Sequence, residues 1–494
     1  MKLRLLTPAL AALGLLLTPH LNAAVRCPAV FSDHMVLQSR MPLPVWGEAS
    51  PGESVTVAFA GEHATTVTGP DGRWSVKLAA LPPSAEPRTL TVSDADSRLT
   101  FSDVLVGEVW FCSGQSNMEK PLGPRKGQKP TNNYQEELTH ADCPLVRIYQ
   151  MPHSGKWKPH STLMRWQPCN ASTLMETGFS AAAYYFSREL QRVLNEPVGV
   201  IDSSYGGTRI ETWMSQEAFA SDPRLAPLAH IHLGIMAAKM QPSELYQRMV
   251  VPFIPFAVRG FLWYQGESNC MNAEGSIYTA KMRALIDSWR ASWGEPEAPF
   301  YYALIAPFTY SHEKHWDKLL SPDALPALWE AQIAALSIPH TGLITLTDIA
   351  GTMKDIHPTD KRDVGLRFAR LALAETYHVA GIHPFAPRIV STRPSSDGAS
   401  LVLTLEHARG LHSRDNAPLD EFTVAGKDGQ FHAADARIDG ERIVVSSPAV
   451  PHPVAVRFAW LEKANPNLVN DAGLPALPYR SDTWPLTLEL PRSR

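Results

Sequence analysis

The chain has 494 residues, more than one hydrophobic core usually organises, so two or three folding units are expected. Hydrophobic residues make up 44% and charged residues 19% of the chain, which is ordinary usage for a globular protein and unlike a disordered one. The net charge is −4 and the basic residues are scattered along the sequence. Because phosphate binding needs concentrated Lys and Arg, this distribution argues against nucleic acid as a partner.

The first 23 residues have the pattern of a secretory signal peptide. Lys2 and Arg4 precede an apolar run over residues 5–17, and small residues follow at Ala23 and Ala24. The run is too short for a membrane span, and no later segment sustains the roughly 20 apolar residues that a transmembrane helix needs. We therefore expect a periplasmic or secreted protein with no membrane span.

The five cysteines do not indicate a metal site. An exported protein can form disulfides, but an odd number leaves at least one thiol free. The sequence contains neither a CxxC pair nor an HExxH motif, so a mechanism without metal is favoured.

Short alternating segments fill residues 25–105, for example 54–59 and 89–93, and turn residues such as Pro51-Gly52 separate them. Strands of this length predict a small β-sandwich or jelly-roll module. From Pro384 onward the β pattern returns, with strands predicted at 399–405, 442–446 and 454–460. This C-terminal part, residues 383–494, fits either a second β module or the other half of the first.

Residues 106–382 alternate between apolar strands and helices, which predicts an α/β core with a parallel sheet and helices on both faces. The predicted strands are 104–112, 198–203, 258–264, 300–306 and 342–347. The predicted helices are 181–194 after Ser180, 277–293 after Ser276, 326–338, and 361–377 after Asp360. Such sheets place their functional sites at the carboxyl ends of strands.

Four polar segments lie at or beyond predicted strand ends. The first, GQSNM at 114–118, puts Ser116 on a tight turn with its hydroxyl exposed, which is the geometry of a nucleophile, although an N-cap serine would fit equally well. The second, SSYGGT at 203–208, offers Gly206 and Gly207, whose backbone amides could approach a developing oxyanion. A plain turn is the alternative for that segment.

The third segment, WYQGESN at 263–269, offers the Gln265 amide, which could complete an oxyanion hole, and the Glu267 carboxylate, which needs a partner or solvent just beyond an apolar strand. A solvated loop is the alternative for that segment. The fourth, DIHP at 355–358, supplies His357. A serine hydroxyl is a poor nucleophile at neutral pH, so it needs a base such as histidine, normally oriented by a carboxylate.

Taken together, GQSNM, SYGGT with Glu211 and Trp213 after it, WYQGESN, and DIHP resemble the sialate O-acetylesterase group of SGNH hydrolases. The resemblance extends to the terminal segments at 464–468 and 473–476, and so covers nearly all of the sequence after the signal peptide. It implies an SGNH-type, flavodoxin-like core and an esterase that removes acetyl groups from a carbohydrate.

The resemblance also implies roles for individual residues. Ser116 would attack the ester carbonyl and His357 would carry the proton, while the Ser116 amide, a Gly206 or Gly207 amide and the Gln265 side chain would hold the oxyanion. Apart from the resemblance, we expect the substrate to lie against Asn117, Arg209, Trp213 and Asn269, which stand in or next to these motifs. No cofactor is implied.

Two positions depart from the wider superfamily. The third block usually carries Asn where this chain has Gln265, and the orienting acid usually stands three residues before the histidine, where this chain has Lys354. Asp355 lies only two residues before it. Either Asp355 or Glu267 could therefore be the orienting acid, and we favour Asp355.

Two questions stay open at this point. A non-catalytic exported carbohydrate-binding protein is the alternative class, since the flanking β modules and 13 Trp would suit it. For an esterase, O-acetylated sialic acid would require an arginine such as Arg209 for its carboxylate, whereas acetylated xyloglucan or xylan would require aromatic platforms such as Trp213, Trp263 or Tyr264. Each of these three aromatic residues could equally be a core residue, and for Trp263, which lies inside a predicted strand, the core is favoured.

Overall fold

The computed structural model describes residues 24–152, 163–231, 233–235, 238–313, 318–351, 353 and 355–491. The predicted signal peptide lies outside the described residues. Within them, no helix combines the length and the apolar character that a bilayer crossing requires.

The N-terminal part forms strands whose side chains alternate between core and solvent. In the strand Ser54–Phe59, for example, Val55, Val57 and Phe59 are buried while the residues between them are not. Two small sheets result, one joining β2 to β5 and one built from β1, β3, β4, β6 and β7. The strands are β1 Val36–Gln38, β2 Leu43–Glu48, β3 Ser54–Phe59, β4 Glu62–Val67, β5 Arg73–Leu78, β6 Ser84–Ser93 and β7 Arg98–Gly114.

Strand β7 connects this part to the central sheet. Its first half pairs with β6, and its second half lies between two parallel strands of the core. The predicted boundary at residue 105 therefore falls inside a continuous strand of 17 residues.

The central region contains the predicted mixture of strands and helices. Its strands are β8 Cys143–Gln150, β9 Trp166–Cys169, β10 Val198–Ser204, β11 Leu233–Ile235, β12 Ala238–Met240, β13 Gly260–Tyr264, β14 Phe300–Ala303 and β15 Thr341–Ile344. Its helices are α1 Ser116–Glu119, α2 Tyr134–Thr139, α3 Ala171–Thr177, α4 Ala181–Leu194, α5 Glu267–Cys270, α6 Gly275–Trp293, α7 Ala324–Ala334 and α8 Arg362–Glu375.

The central sheet is mostly parallel. Its strand order is β15-β14-β13-β7-β10-β8-β9, and only the edge strand β9 runs antiparallel to its neighbour. Helices cover both faces of this sheet. Trp110 and Phe111 show this, because they are adjacent on β7 and therefore point to opposite sides. Trp110 packs on Phe186 of α4, whereas Phe111 packs on Trp289 of α6.

The C-terminal strands form two four-stranded antiparallel sheets, β16-β17-β22-β21 and β20-β19-β23-β25, and a short pair, β18-β24. Among the described residues, none of them pairs with a strand of the N-terminal part. The strands are β16 Arg388–Pro394, β17 Leu401–Glu406, β18 His412–Ser413, β19 Phe422–Ala425, β20 Phe431–Ala433, β21 Asp435–Asp439, β22 Arg442–Ser446, β23 Ala455–Phe458, β24 Leu468–Val469 and β25 Tyr479–Arg480.

Several predicted boundaries are wrong for physical reasons. The strands predicted at 300–306 and 342–347 end at Ala303 and Ile344. The residues that follow are buried although they lie outside the strands, and burial alone does not distinguish the two cases in the sequence. Helix α6 begins at Gly275 rather than after Ser276. Helix α4 does begin after Ser180, whose hydroxyl accepts a hydrogen bond from the Ala183 amide.

Candidate active site

The carboxyl ends of three adjacent strands lie level with one another. In the register of the sheet, Gly114 on β7 stands opposite Ser204 on β10 and Tyr264 on β13. Gly114 has φ +140°, and a Cβ on it would lie 2.2 Å from the carbonyl oxygen of Tyr264, so only glycine fits there. The turn that follows places Ser116 at the start of α1, beside the segments that leave β10 and β13.

The structure brings Ser116, His357 and Asp355 together. The imidazole Nε2 of His357 lies 2.9 Å from the Ser116 hydroxyl, and Nδ1 lies 3.1 Å from a carboxylate oxygen of Asp355. That oxygen also accepts a hydrogen bond of 2.9 Å from the His357 backbone amide. Asp355 therefore reaches the ring from two residues away by folding back over its own loop.

The protonation state of His357 suits a base. Burial lowers the pKa of His357 to about 4; Asp355 opposes this shift, whereas the ammonium groups of Lys361 and Lys120 add to it. The imidazole is therefore neutral at neutral pH and can accept the proton of the Ser116 hydroxyl.

Of the two candidate glycines, Gly206 is the one beside the serine. A Cβ on Gly206 would lie 3.3 Å from the Cβ of Ser116 and 2.6 Å from a carboxylate oxygen of Glu119. A Cβ on Gly207 would meet nothing within 4 Å, although its φ of +72° favours glycine. The segment is anchored by the Tyr205 amide, which donates to the carbonyl of Gly114 at 3.0 Å.

Glu267 does not orient His357, because both ring nitrogens of the histidine are already paired with Ser116 and Asp355. Its carboxylate instead accepts a hydrogen bond of 2.5 Å from the Asn117 amide. Burial raises the pKa of Glu267 to about 7, and the hydrogen bond from Asn117 opposes this only in part. The alternative that made Glu267 the orienting acid is therefore not supported.

Asn117 is not placed to contact a substrate, contrary to the prediction. It is 1% exposed. Its Oδ1 accepts from the ammonium of Lys361 at 2.7 Å, and its Nδ2 donates to Glu267 and to the carbonyl of Ile356, the latter at 3.0 Å. Both N–H groups and the oxygen of its side-chain amide are therefore engaged by groups of the protein.

Gln265 is also not available as an oxyanion donor, contrary to the prediction. Its amide nitrogen faces three acceptors, Gln115 Oε1 at 3.1 Å, the Thr208 carbonyl at 3.0 Å and Asn269 Oδ1 at 2.7 Å. The Tyr278 hydroxyl donates to its Oε1 at 2.7 Å, and the residue is fully buried. Since an amide has only two N–H groups, Gln265 holds the loop at Thr208 instead.

Arg209 and Asn269 belong to a buried ionic cluster and not to a substrate surface, which corrects two further predictions. The Arg209 guanidinium pairs with Glu211 at 2.5 Å and with Glu274. Asn269 donates to the same two carboxylates, and Lys281 lies 2.7 Å from Glu211. Burial alone would raise the pKa of Glu211, but Lys281 and Arg209 outweigh it and lower that pKa.

The predicted aromatic platforms are core residues. Trp213 is fully buried, and its indole N–H donates to the Thr208 hydroxyl at 3.0 Å. Trp263 and Tyr264 are buried as well. Trp213 therefore packs the wall of the site and offers no face to a sugar ring.

Lys361 is a residue of the site that was assigned from the sequence only to the start of a helix. In the structure this lysine is 0% exposed. Its ammonium donates a hydrogen bond to the Asn117 side chain and lies 5.0 Å from the centroid of the Tyr264 ring. Lys361 occupies the N-cap position of α8 without a capping bond from its side chain, and the carboxylate of the preceding Asp360 accepts a hydrogen bond from the Asp363 amide at 3.0 Å. A lysine four residues after the candidate base was the signal available in the sequence.

Comparisons with known proteins agree on one family. A profile of the carbohydrate esterase, sialic acid-specific acetylesterase family matches residues 106–374, a range that contains all four motifs. The sialate O-acetylesterase of Homo sapiens is 27% identical over 383 residues, covering 71% of this chain and 71% of that protein. The mouse (Mus musculus) enzyme is 24% identical over 494 residues, covering 88% of this chain and 89% of that protein.

A solved structure has the same fold over nearly the whole chain. The crystal structure of a carbohydrate acetylesterase from Xanthomonas citri is 33% identical and superposes with a TM-score of 0.81, covering 93% of this chain and 100% of that one. Its match extends beyond the central sheet, so the flanking β-sheets are part of the shared architecture.

These matches define the class of the protein as a carboxylic ester hydrolase. The chain belongs to the carbohydrate esterase family of sialic acid-specific acetylesterases, and it is a carbohydrate O-acetylesterase. The resemblance drawn from the four motifs is thereby confirmed, and an enzyme is favoured over a non-catalytic carbohydrate-binding protein.

Proposed function

We propose that this carbohydrate O-acetylesterase is an exported serine esterase in which Ser116 is the nucleophile, His357 the general base and Asp355 the orienting acid. The observation that carries the proposal is the 2.9 Å contact between His357 Nε2 and the Ser116 hydroxyl, with Asp355 on the other ring nitrogen. No cofactor takes part in the proposed reaction.

In the proposed reaction, the Ser116 oxygen attacks the acetyl carbonyl while His357 takes the hydroxyl proton. The tetrahedral intermediate collapses when His357 returns that proton to the departing sugar oxygen, which leaves an acetyl-enzyme. Water, deprotonated by His357, then attacks the acetyl group, and His357 returns that proton to the Ser116 oxygen as acetate leaves. Asp355 keeps the imidazole in the tautomer that presents a free Nε2 to the serine.

We assign the oxyanion hole to the backbone amides of Ser116 and Gly206. The close approach of Gly206 to Ser116 supports this choice over Gly207, and the three acceptors around the Gln265 nitrogen argue against a contribution from that side chain. Backbone donors fixed at strand ends stabilise developing charge without having to reorganise.

The strand order supports the proposal of an SGNH-type, flavodoxin-like core. Without the edge strands β8 and β9, the order is β10-β7-β13-β14-β15, which corresponds to 2-1-3-4-5 in chain order. The order reverses direction at β7, and Ser116 lies just beyond its carboxyl end. We further propose that residues 1–23 direct export to the periplasm or the medium, and that 25–105, 106–382 and 383–494 are three structural regions, of which the first two share the continuous strand β7.

For the substrate, we propose a neutral acetylated hemicellulose such as xyloglucan in preference to O-acetylated sialic acid. The preference rests on the arginines alone, because the three aromatic residues considered as platforms for a neutral polysaccharide are buried and do not favour it. Recognition of a sialate carboxylate calls for a free guanidinium, whereas Arg209 is paired with Glu211 and Glu274. Arg125, near the nucleophile turn, is likewise paired with Glu119. The family description keeps sialic acid as the second candidate.

Acetate release from acetylated hemicelluloses and O-acetylated sialic acids tests this proposal. Wild-type enzyme should release acetate, and Ser116→Ala should lose turnover by about three or more powers of ten. Ser396→Ala, at an exposed serine of the C-terminal part, is the matched control and should keep full activity. Retained turnover in Ser116→Ala would overturn the assignment of the nucleophile, and faster release from sialates would overturn the assignment of the substrate.

A further inference from the structure

A single amide links the two halves of the proposed active site. Asn117 directly follows Ser116, and its Nδ2 donates to the carbonyl of Ile356, the residue before His357, at 3.0 Å. This contact joins the turn that carries Ser116 to the loop that carries His357, although Asn117 and Ile356 are 239 positions apart in the sequence. The Asn117 side chain therefore influences the separation of Ser116 and His357.

Two buried ionisable groups determine which way this amide faces. The Lys361 ammonium donates to Oδ1 at 2.7 Å, and the Glu267 carboxylate accepts from Nδ2 at 2.5 Å. A flipped amide would direct its NH₂ group at the ammonium and its oxygen at the carboxylate, which is costly where water cannot compensate. Only the observed orientation lets Asn117 bond to Ile356.

The lysine does more than fill space. Its side chain is 0% exposed, and burial lowers the pKa of Lys361 to about 7. Burying a charged or chargeable amine is unfavourable, and an apolar side chain of similar length would pack the same volume without that cost. The ammonium is compensated by the Asn117 oxygen and by the face of the Tyr264 ring.

We propose that Lys361 is a positioning residue of the esterase, which orients the Asn117 amide and thereby holds Ser116 and His357 at reacting distance. The inference rests on the proposed roles of Ser116 and His357. It assigns to Asn117 an internal task in place of the predicted contact with substrate.

The same geometry gives Lys361 an electrostatic effect on the base. The charged groups that act on His357 are Asp355, Lys361 and Lys120, and the two ammonium groups disfavour its protonation. The groups that act on Lys361 are Lys120 and the carboxylates of Glu267, Asp360 and Asp355. Removing the Lys361 charge should therefore raise the pKa of His357 and move the acid limb of kcat/KM to higher pH, which a residue that only packs would not do.

The test compares Lys361→Met, Asn117→Leu and the double variant in the full-length enzyme. Arg362→Met is the matched control, because it removes a positive charge from the next residue, whose side chain is 61% exposed. For Lys361→Met we expect kcat to fall on the order of 100-fold with little change in KM, since a small displacement of reacting groups has that effect. We also expect the acid limb to move upward and the double variant to be no worse than the more severe single variant.

Unchanged kcat and an unmoved acid limb in Lys361→Met would overturn the inference, as would losses that add in the double variant. If Lys361→Met does not fold, as judged by thermal unfolding, Asn117→Leu decides alone: wild-type kcat in that variant would overturn the inference. Failure of the wild-type enzyme to hydrolyse any acetyl ester would instead refute the proposed function.

Discussion

The imidazole Nε2 of His357 lies 2.9 Å from the Ser116 hydroxyl, although 241 positions of sequence separate the two residues. The contact exists because β7 delivers the serine to the carboxyl edge of the sheet, and the segment between β15 and α8 brings the histidine to the same edge. Burial of the imidazole then determines the pH range in which the pair can react.

The pH profile of kcat/KM should show an acid limb near pH 4. The base must be neutral to act, and burial lowers the pKa of His357 to about 4, so activity should be kept as the pH falls until that value is reached. Initial rates on a neutral acetyl ester, measured in buffers of constant ionic strength, provide the check. A limb centred near the ordinary histidine value of about 6.5 would show that the imidazole is more solvated than in this structure.

Replacing the two candidate acids should separate their roles. Asp355→Asn removes the carboxylate on His357 Nδ1, so kcat should fall by roughly two to four powers of ten. Glu267→Gln keeps an acceptor for Asn117, so kcat should fall by less than about tenfold. Steady-state kinetics of the two variants decide the matter, and a larger loss in Glu267→Gln would reverse our assignment.

The adjacent glycines offer a matched pair of substitutions. Gly206→Ala places a Cβ 2.6 Å from Glu119 and 3.3 Å from the Cβ of Ser116, so it should disturb the proposed oxyanion amide and lower kcat on the order of 100-fold. Gly207→Ala enters open space at φ +72°, and should cost about 1 kcal/mol of stability with little effect on kcat. Equal kinetic losses in both would argue against Gly206 as the donor.

The motifs located the site because position relative to a strand end can be inferred from sequence. Apolar strands followed by GQSNM, SYGGT and WYQGESN predict neighbouring segments at one edge of a parallel sheet, and the register of β7, β10 and β13 confirms this. The direction of each side chain beyond the strand end could not be inferred. Gln265 and Asn269, for instance, turn inward because buried partners such as Tyr278 and Glu211 accept or donate there.

Charge pairing was equally hidden from the sequence. Arg209 was interpreted as a recognition residue because it follows a motif, but it pairs with the nearby Glu211 and with Glu274, which is 65 positions away and meets it only in the fold. Lys361 was assigned only to the start of a helix, because its partner Asn117 is 244 positions away in the sequence. Side chains that neutralise one another across distant segments are visible only in three dimensions.

The buried cluster behind the site should contribute strongly to stability. Lys281→Met removes the fully buried ammonium group that pairs with Glu211 and Glu274. The free energy of unfolding should therefore fall by about 3 kcal/mol. Glu189→Gln breaks a surface pair with Arg192, whose side chain is 69% exposed, and should cost less than about 1 kcal/mol. Denaturant unfolding of both variants is the measurement, and equal costs would mean that the cluster is better solvated than it is in this structure.

The most direct measurement of the central claim is covalent labelling of the native enzyme with a serine-directed fluorophosphonate, followed by peptide mapping. If Ser116 is activated by His357, the label should be found on the peptide that contains Ser116, in parallel with loss of acetylesterase activity, and His357→Gln should abolish labelling. A label on another residue, or full labelling of Ser116 in an enzyme that still releases acetate at its original rate, would contradict the account.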